Sequence, residues 1–163
     1  MHRSPLPFGL LLCLAGCIAL SARANAAEQA PAFTVRGLDG RVIRSTDFRG
    51  RPVLLDFWAT WCVPCRASMP HLDVIQARYR EQGLVVLGVS VDDEPPVAVR
   101  RYADRLGVRF RLAMASENVL GDYGPIRSIP TMFFIDRRGQ IVRRVVGYLD
   151  QETLEGFANE LLR

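Results

Sequence analysis

Residues 53–65 read VLLDFWATWCVPC and decide the fold of this chain. Residues 53–58 are apolar except for Asp56, which is typical of a central β-strand buried on both faces. A short turn leads to Cys62, and a helical pattern begins at about Pro64. Two cysteines at this spacing can close a small disulfide ring, and the free N–H groups of a helix N-terminus favour a thiolate on the first cysteine. The stretch therefore indicates electron transfer through sulfur.

Strand and helix patterns alternate along the rest of the chain. Apolar periodicity and turn residues predict the following strands: 33–35, 42–43, 53–58, 84–91, 110–112, 131–135 and 140–146. They predict helices over 64–80, from Asp92 to about Leu106, and over 117–123 and 151–162. Pro70 lies inside the first helix and should kink it. Parallel strands with crossover helices, closed by a hairpin and a helix, predict an α/β sandwich.

The first 26 residues look like a targeting segment. The uncharged run 8–20 follows a short basic start and is shorter than the roughly 20 residues that a membrane-spanning helix needs. Ala24 and Ala26 are the small residues that a signal peptidase reads. We therefore predict a signal segment over 1–26, a linker over 27–32 and one folded domain over 33–163.

A second interpretation of this segment remains open. Leu14-Ala15-Gly16-Cys17 matches the lipobox of bacterial lipoproteins, in which cleavage precedes the cysteine and Cys17 becomes lipidated. This would anchor the domain to a membrane, whereas cleavage after Ala26 would release it. Both interpretations place the domain outside the cytoplasm, in an oxidising compartment.

The cysteine count narrows the role of the pair. Of four cysteines, Cys13 is lost with the signal, and Cys17 is lost or lipidated, so the domain keeps only Cys62 and Cys65. A ring this small constrains the unfolded chain little, so stability is a poor explanation for it. A zinc site needs about four ligands, and His71 is the only histidine after the leader, so we expect no metal site.

Composition excludes several classes of protein. The chain has 163 residues, 49% of them hydrophobic and 23% charged, which fits one globular domain. The basic residues are scattered, and the largest group surrounds the turn at 137–144. Nucleic-acid surfaces usually show a concentrated basic stripe, so we expect no nucleic-acid partner.

The motifs together resemble the thioredoxin fold, and in particular its TlpA-like branch. The resemblance rests on residues 55–62 (LDFWATWC), on 129–136 (IPTMFFID), on the extension 30–53 and on the insertion between Val89 and Ala113. It covers about residues 30–163. It implies a central mixed sheet flanked by helices, with an N-terminal β-hairpin extension and an insertion after the second βα unit.

Cys62, Cys65 and Asp56 are the predicted catalytic residues. Cys62 is nearer to the helix N-terminus and to solvent, so we expect it to attack a partner disulfide, and Cys65 to resolve the mixed disulfide. Burial should raise the pKa of Asp56. The resemblance implies that Asp56 lies beneath Cys65 and relays its proton.

Three further residues are predicted to bind the partner. The resemblance implies a cis peptide bond at Pro130, which turns the backbone of Ile129 toward a bound strand. It also implies that Trp61 shields the disulfide and contacts the partner. His71, on the helix after the cysteines, is expected to be a surface residue and not a base.

These residues predict an exported thiol-disulfide oxidoreductase without a dissociable cofactor. The spacer Val63-Pro64 adds no charge that would stabilise the thiolate, which favours a reductase. We expect periplasmic proteins with disulfides as partners and a membrane thiol reductase as electron donor. Relatives dedicated to cytochrome c maturation carry Glu where Thr131 and Ser68 stand, which weakens but does not remove that role. The alternative is a copper-handling protein that binds Cu(I) through both thiols.

Overall fold

The computed structural model describes residues 28–163. The predicted signal segment and Cys17 lie outside these residues. Within them, no helix combines the length and the apolar character needed to cross a membrane.

One mixed sheet of eight strands forms the centre of the described chain, in the order β1-β8-β7-β4-β5-β6-β2-β3. The strands are β1 (Glu28–Gln29), β2 (Thr34–Gly37), β3 (Val42–Arg44), β4 (Val53–Trp58), β5 (Val85–Ser90), β6 (Arg111–Met114), β7 (Thr131–Ile135) and β8 (Gln140–Val146). β4 pairs in parallel with β5, and β5 with β6, whereas β7 runs antiparallel to β4. This confirms the mixed sheet that the sequence predicts.

Helices cover both faces of the sheet. They are α1 (Val63–Tyr79), α2 (Pro96–Arg105), α3 (Glu117–Asp122) and α4 (Gln151–Leu162), with single 3₁₀ turns at Ser45–Phe48 and Arg80–Gln82. Gly83 follows α1 and its 3₁₀ turn with φ 94°, a left-handed conformation that suits glycine and ends the helix. α1 runs through Pro70 without a break.

β4 separates two hydrophobic cores. Because side chains alternate along a strand, Leu54 and Trp58 point to one face and Leu55 and Phe57 to the other. The first core joins Leu54 and Trp58 to apolar residues of α1, α2 and α4. The second core joins Leu55 and Phe57 to the β2–β3 extension and α3. All six residues of β4 are buried, as its apolar pattern predicts.

The N-terminal segment is more ordered than expected. Glu28 and Gln29 pair antiparallel with Ile141 and Gln140 at the edge of the sheet. Two residues of the linker predicted over 27–32 thus pair with the sheet. A strand of two polar residues carries no apolar alternation by which the sequence could reveal it.

The loop after β5 also differs from the prediction. The acidic residues that follow β5 were expected to begin the next helix, but α2 begins at Pro96, with Pro95 as its N-cap. The Asp92 carboxylate does not lie in the first turn of α2, and binds Thr60 and Ser90 instead. The expectation of proline in the first turn is confirmed.

Candidate active site

The two cysteines lie where β4 ends and α1 begins. Cys62 is the N-cap residue of α1, and its sulfur accepts a hydrogen bond from the backbone N–H of Cys65 at 3.1 Å. The structure holds the pair as a disulfide with Cα atoms 5.3 Å apart. Pro64 occupies the first turn, where its missing N–H costs nothing. The backbone N–H of Cys65 would stabilise a thiolate on Cys62 once the disulfide is reduced.

The two sulfurs differ in access to solvent. Cys62 is 5% exposed and Cys65 is fully buried. A partner can therefore approach only Cys62. This agrees with the expectation that Cys62 attacks first and Cys65 resolves the mixed disulfide. Even Cys62 is largely buried.

The segment before β7 forms one wall of the site. The Ile129–Pro130 peptide bond is cis, as the resemblance implies. The carbonyl oxygen of Ile129 lies 3.6 Å from the sulfur of Cys62. The hydroxyl of Thr131 donates to the carbonyl of Ser128 at 2.6 Å, and this bond braces the turn. Ile129 and Pro130 are therefore brought against the reactive sulfur.

Exposed apolar side chains flank the disulfide. Trp61 is 68% exposed and Val63 is 63% exposed, although each adjoins Cys62 in sequence. Trp61 thus lies on the surface and does not pack in either hydrophobic core. Large exposed apolar side chains beside a reactive group are typical of a surface that contacts another protein.

The sequence did not reveal that Tyr148, in the loop after β8, lies close to the site. That loop touches the site because the N–H of Gly147 donates to the carbonyl of Pro130 at 2.8 Å. Tyr148 is 49% exposed, and its hydroxyl lies 3.3 Å from Nε2 of His71 on α1. No signal in the sequence pairs these two side chains, since they are 77 residues apart.

Asp56 is fully buried, and neither carboxylate oxygen has a hydrogen-bond partner. Burial raises its pKa from 3.8 to about 7, as expected from its place in an apolar strand. It shares one face of β4 with Leu54 and Trp58, the face on which α1 packs and into which Cys65 points. Its neighbours in the sheet are Gly88 and Met132, neither of which is charged.

The residues 28–163 contain no group of three or more His, Cys, Asp or Glu side chains placed to hold a metal ion. The site itself supplies two sulfurs and one buried carboxyl group. The less buried sulfur, that of Cys62, accepts an N–H bond, the sulfur of Cys65 lies in a fully buried residue, and the Asp56 carboxyl group of raised pKa lies on the same side of the sheet. This arrangement on a mixed α/β sheet defines a thiol–disulfide exchange site.

Comparisons with known proteins agree with this class. The AhpC/TSA family model matches residues 26–144. The chain is 33% identical over 135 residues to the thiol-disulfide oxidoreductase ResA of Bacillus anthracis, covering 82% of this chain and 77% of the relative. It is 37% identical over 127 residues to ResA of Geobacillus thermodenitrificans, and the alignment covers 77% of this chain and 72% of that relative.

A solved structure gives the same result for the fold. A thiol:disulfide interchange protein of the thioredoxin family from Chlorobium tepidum superposes with a TM-score of 0.78 at 27% identity. The alignment covers 84% of this chain and 97% of that protein. The chain belongs to the AhpC/TSA family, has the thioredoxin-like fold, and is a thiol-disulfide oxidoreductase.

Proposed function

We propose that this protein works outside the cytoplasm and reduces disulfides of partner proteins with the Cys62–Cys65 dithiol. The observation that carries the direction is the environment of Cys62. One backbone N–H, from Cys65, binds its sulfur, and the spacer Val63-Pro64 adds no charge. A weakly stabilised thiolate corresponds to a low reduction potential, because stabilising the reduced form makes a pair more oxidising.

The proposed reaction is an exchange of one disulfide for another. The Cys62 thiolate attacks a sulfur of the partner disulfide, forms a mixed disulfide and releases the partner's second sulfur as a thiolate, which takes up a proton. Cys65 loses its proton to Asp56 and attacks the sulfur of Cys62, which breaks the mixed disulfide and expels the partner's remaining sulfur as a thiolate that takes up a proton. The partner leaves as a dithiol, and two electrons have passed from the enzyme to it.

The electrons must then be replaced. The proposed donor is a membrane thiol reductase, since oxidation of Cys62 and Cys65 leaves no other thiol in residues 28–163. The cycle needs no dissociable cofactor, because both electrons are carried by the two sulfurs. Proteins with accessible disulfides are the proposed substrates, and apocytochrome c is one candidate among them.

Export rests on the leader sequence. We propose that residues 1–26 direct the chain across the membrane, followed either by cleavage after Ala26 or by lipidation of Cys17. Intact mass of the protein purified from its native envelope separates the two. A chain that begins at Ala27 supports the released form, and a chain that begins at Cys17 with added acyl mass supports the anchored form.

Trapping the mixed disulfide tests the function itself. In Cys65→Ser the resolving sulfur is absent, so Cys62 should stay bound to its partner, and mass spectrometry of the adduct identifies that partner. Cys62→Ser is the matched control and should trap nothing. No adduct, together with no reduction of insulin by the wild-type protein, would reject the proposal.

The direction of electron flow has its own measurement. Equilibration against defined thiol buffers gives the reduction potential of the Cys62–Cys65 pair. We expect a value nearer to thioredoxin, at about −270 mV, than to a strong oxidase, at about −120 mV. A value above roughly −150 mV would reverse the assignment from reductase to oxidase.

A further inference from the structure

Besides Asp56, a second buried carboxylate lies near the disulfide, next to the turn 59–62 that leads into Cys62 (the redox loop). Asp92 follows β5 and is 7% exposed. Its Oδ1 accepts the hydroxyl of Thr60 at 2.6 Å, and its Oδ2 accepts the hydroxyl of Ser90 at 2.6 Å. The backbone N–H of Thr60 donates to both oxygens, at 3.2 and 3.0 Å. The carboxylate is therefore fully engaged.

Three residues form a closed network at this place. Ser90 accepts a bond from the N–H of Asp92 at 3.1 Å, so the side chain and backbone of Asp92 are fixed by the same serine. The N–H of Val91 donates to the carbonyl of Trp58 at 2.9 Å and ties the two strand ends together. All partners of the carboxylate are neutral donors, so its bonds organise the loop without cancelling its charge.

This network is attached to the segment that carries the reactive sulfur. Thr60 precedes Cys62 by two residues, so their Cα atoms are at most about 7 Å apart. The N–H of Cys62 donates to the carbonyl of Ala59 at 3.2 Å, which closes the turn on the side that Asp92 holds. A shift of Thr60 would therefore move both Trp61 and Cys62.

We propose that Asp92 is a positioning residue for thiol–disulfide exchange. It holds the 59–62 turn so that Trp61 stands out from the surface and the sulfur of Cys62 remains beside the carbonyl of Ile129. Asp92 does not touch the reacting sulfurs, and it acts through Thr60. The inference rests on the proposed reduction of protein disulfides at this site, and it adds a determinant of how a protein partner is presented to Cys62.

The role predicts that protein and small-molecule reagents respond differently to a change at Asp92. A protein disulfide must meet Trp61, Cys62 and the Ile129 carbonyl together, and a misplacement of about 1 Å can lower such a rate by about 100-fold. A small alkylating reagent needs only an accessible thiolate. Attack on protein should therefore fall much further than alkylation.

The test compares Asp92→Asn and Thr60→Val with the wild-type protein. Asn keeps the shape but replaces one acceptor by a donor, and Val removes only the hydroxyl of Thr60. We expect kcat/KM for insulin reduction to fall by about 10–100-fold in Asp92→Asn and by less in Thr60→Val. The rate of iodoacetamide alkylation of reduced Cys62, at a pH where it is fully ionised, should stay close to the wild-type rate.

Asp73→Asn is the matched control. Asp73 is 9% exposed, and its Oδ1 accepts the N–H groups of Arg109 and Phe110 at 2.7 and 3.1 Å, just before β6 and away from the redox loop. It should lose stability yet reduce insulin at close to the wild-type rate. Equal losses of insulin reduction in the two Asn variants would overturn the inference, as would an equal loss of alkylation in Asp92→Asn.

Amide hydrogen exchange gives a readout that does not depend on turnover. The N–H of Thr60 should exchange faster in Asp92→Asn, while the strand amides of β4 keep their protection. If the wild-type protein fails to reduce insulin and Cys65→Ser traps no partner, the proposed function is rejected, and amide exchange at Thr60 still decides whether Asp92 holds the turn. Unchanged exchange at Thr60 would overturn the positioning role even where insulin reduction falls.

Discussion

Asp56 is a carboxyl group buried between apolar neighbours, with no hydrogen-bond donor for either oxygen. Its ionised form is therefore disfavoured, and its pKa rises to about 7. A group with this pKa can hold or release a proton near neutral pH. The folded protein also binds this proton more tightly than the unfolded chain does.

Stability should therefore depend on pH through Asp56. Between about pH 4 and 7 unfolding releases the proton, so the free energy of unfolding falls as pH rises and then levels off. Asp56→Asn removes this loss and should stabilise the protein at pH 8 by up to about 4 kcal/mol, at about 1.4 kcal/mol per pKa unit, but little at pH 4. Urea unfolding at both pH values measures the difference.

Asp150 offers a control whose pKa shift, and therefore whose effect on stability at pH 8, has the opposite sign. Its carboxylate caps α4 by accepting the N–H of Thr153 at 2.8 Å, and this bond lowers its pKa. The stability that it contributes is present at neutral pH and is lost as pH falls. Asp150→Asn should therefore lose stability at pH 8, where Asp56→Asn gains it. A gain in both variants would show that general charge reduction, not burial, controls stability.

The proton relay gives a kinetic prediction for the same residue. Above about pH 7 the ionised Asp56 can accept the proton of Cys65, so resolution of a mixed disulfide on Cys62 should accelerate through this range. Asp56→Asn should be slower at neutral pH and lack that inflection. Single-turnover rates measured between about pH 6 and 9 check this, and identical profiles for the two proteins would contradict the relay.

At the scale of elements, β5 has no room for a side chain at Gly88. A Cβ atom there would lie 2.6 Å from Cδ2 of Leu112 and 3.1 Å from both Cε2 of Phe110 and Nε1 of Trp58. Gly88→Ala should therefore cost about 1–3 kcal/mol through overpacking. Thermal or urea unfolding measures the loss.

Gly156→Ala is the matched control for this substitution. Gly156 lies within α4, and no atom stands within 4 Å of the position that its Cβ would take. Alanine there should stabilise the protein by up to about 1 kcal/mol, because it favours the helix. If both alanine variants lost stability alike, packing around β5 would not be the cause.

The elements that could be predicted from sequence are those whose own residues carry the signal. β4 is an apolar run interrupted only by Asp56, α1 begins after a capping cysteine and has a proline in its first turn, and α4 shows apolar residues at helical spacing. β1 was missed because its two polar residues are held by distant partners, through pairing with β8 and through the Gln29 side chain, which donates to the carbonyl of Gly139.

The site residues also divide into those that a local sequence pattern reveals and those that it does not. The pair Cys62 and Cys65 is visible as a motif, and the burial of Asp56 follows from the strand around it. The Asp92 network and the contact between His71 and Tyr148 join residues 32 and 77 positions apart, so no local pattern reveals them. For Asp92 the local pattern misled, since acids followed by two prolines are also typical of a helix start.

For the whole molecule, the N-terminal extension completes the second core. Tyr123 is buried there among the rings of Phe33, Phe57 and Phe133, and its hydroxyl donates to the carbonyl of Pro31 at 3.0 Å. Burial raises the pKa of this phenol. Tyr123 thus joins the extension to the centre of the fold through both its ring and its hydroxyl.

Removing that hydroxyl should loosen the extension. Tyr123→Phe keeps the ring but leaves the Pro31 carbonyl without its donor, at a cost of about 1–3 kcal/mol. The backbone N–H of Ala30, which donates to Gly139, and that of Phe33, which donates to Ser45, should exchange faster with solvent. Equal acceleration throughout the sheet would instead indicate a global loss of stability.

The near-complete burial of Cys62 beside the exposed Trp61 determines which molecules can change the redox state of this protein. A small thiol or oxidant finds little sulfur surface and gains little contact energy when it arrives. A protein that covers Trp61 and Val63 removes apolar surface from water as it brings its own sulfur into place. A small thiol gains no such contact energy, so we expect it to exchange with the Cys62–Cys65 pair more slowly than a protein partner that covers Trp61 and Val63.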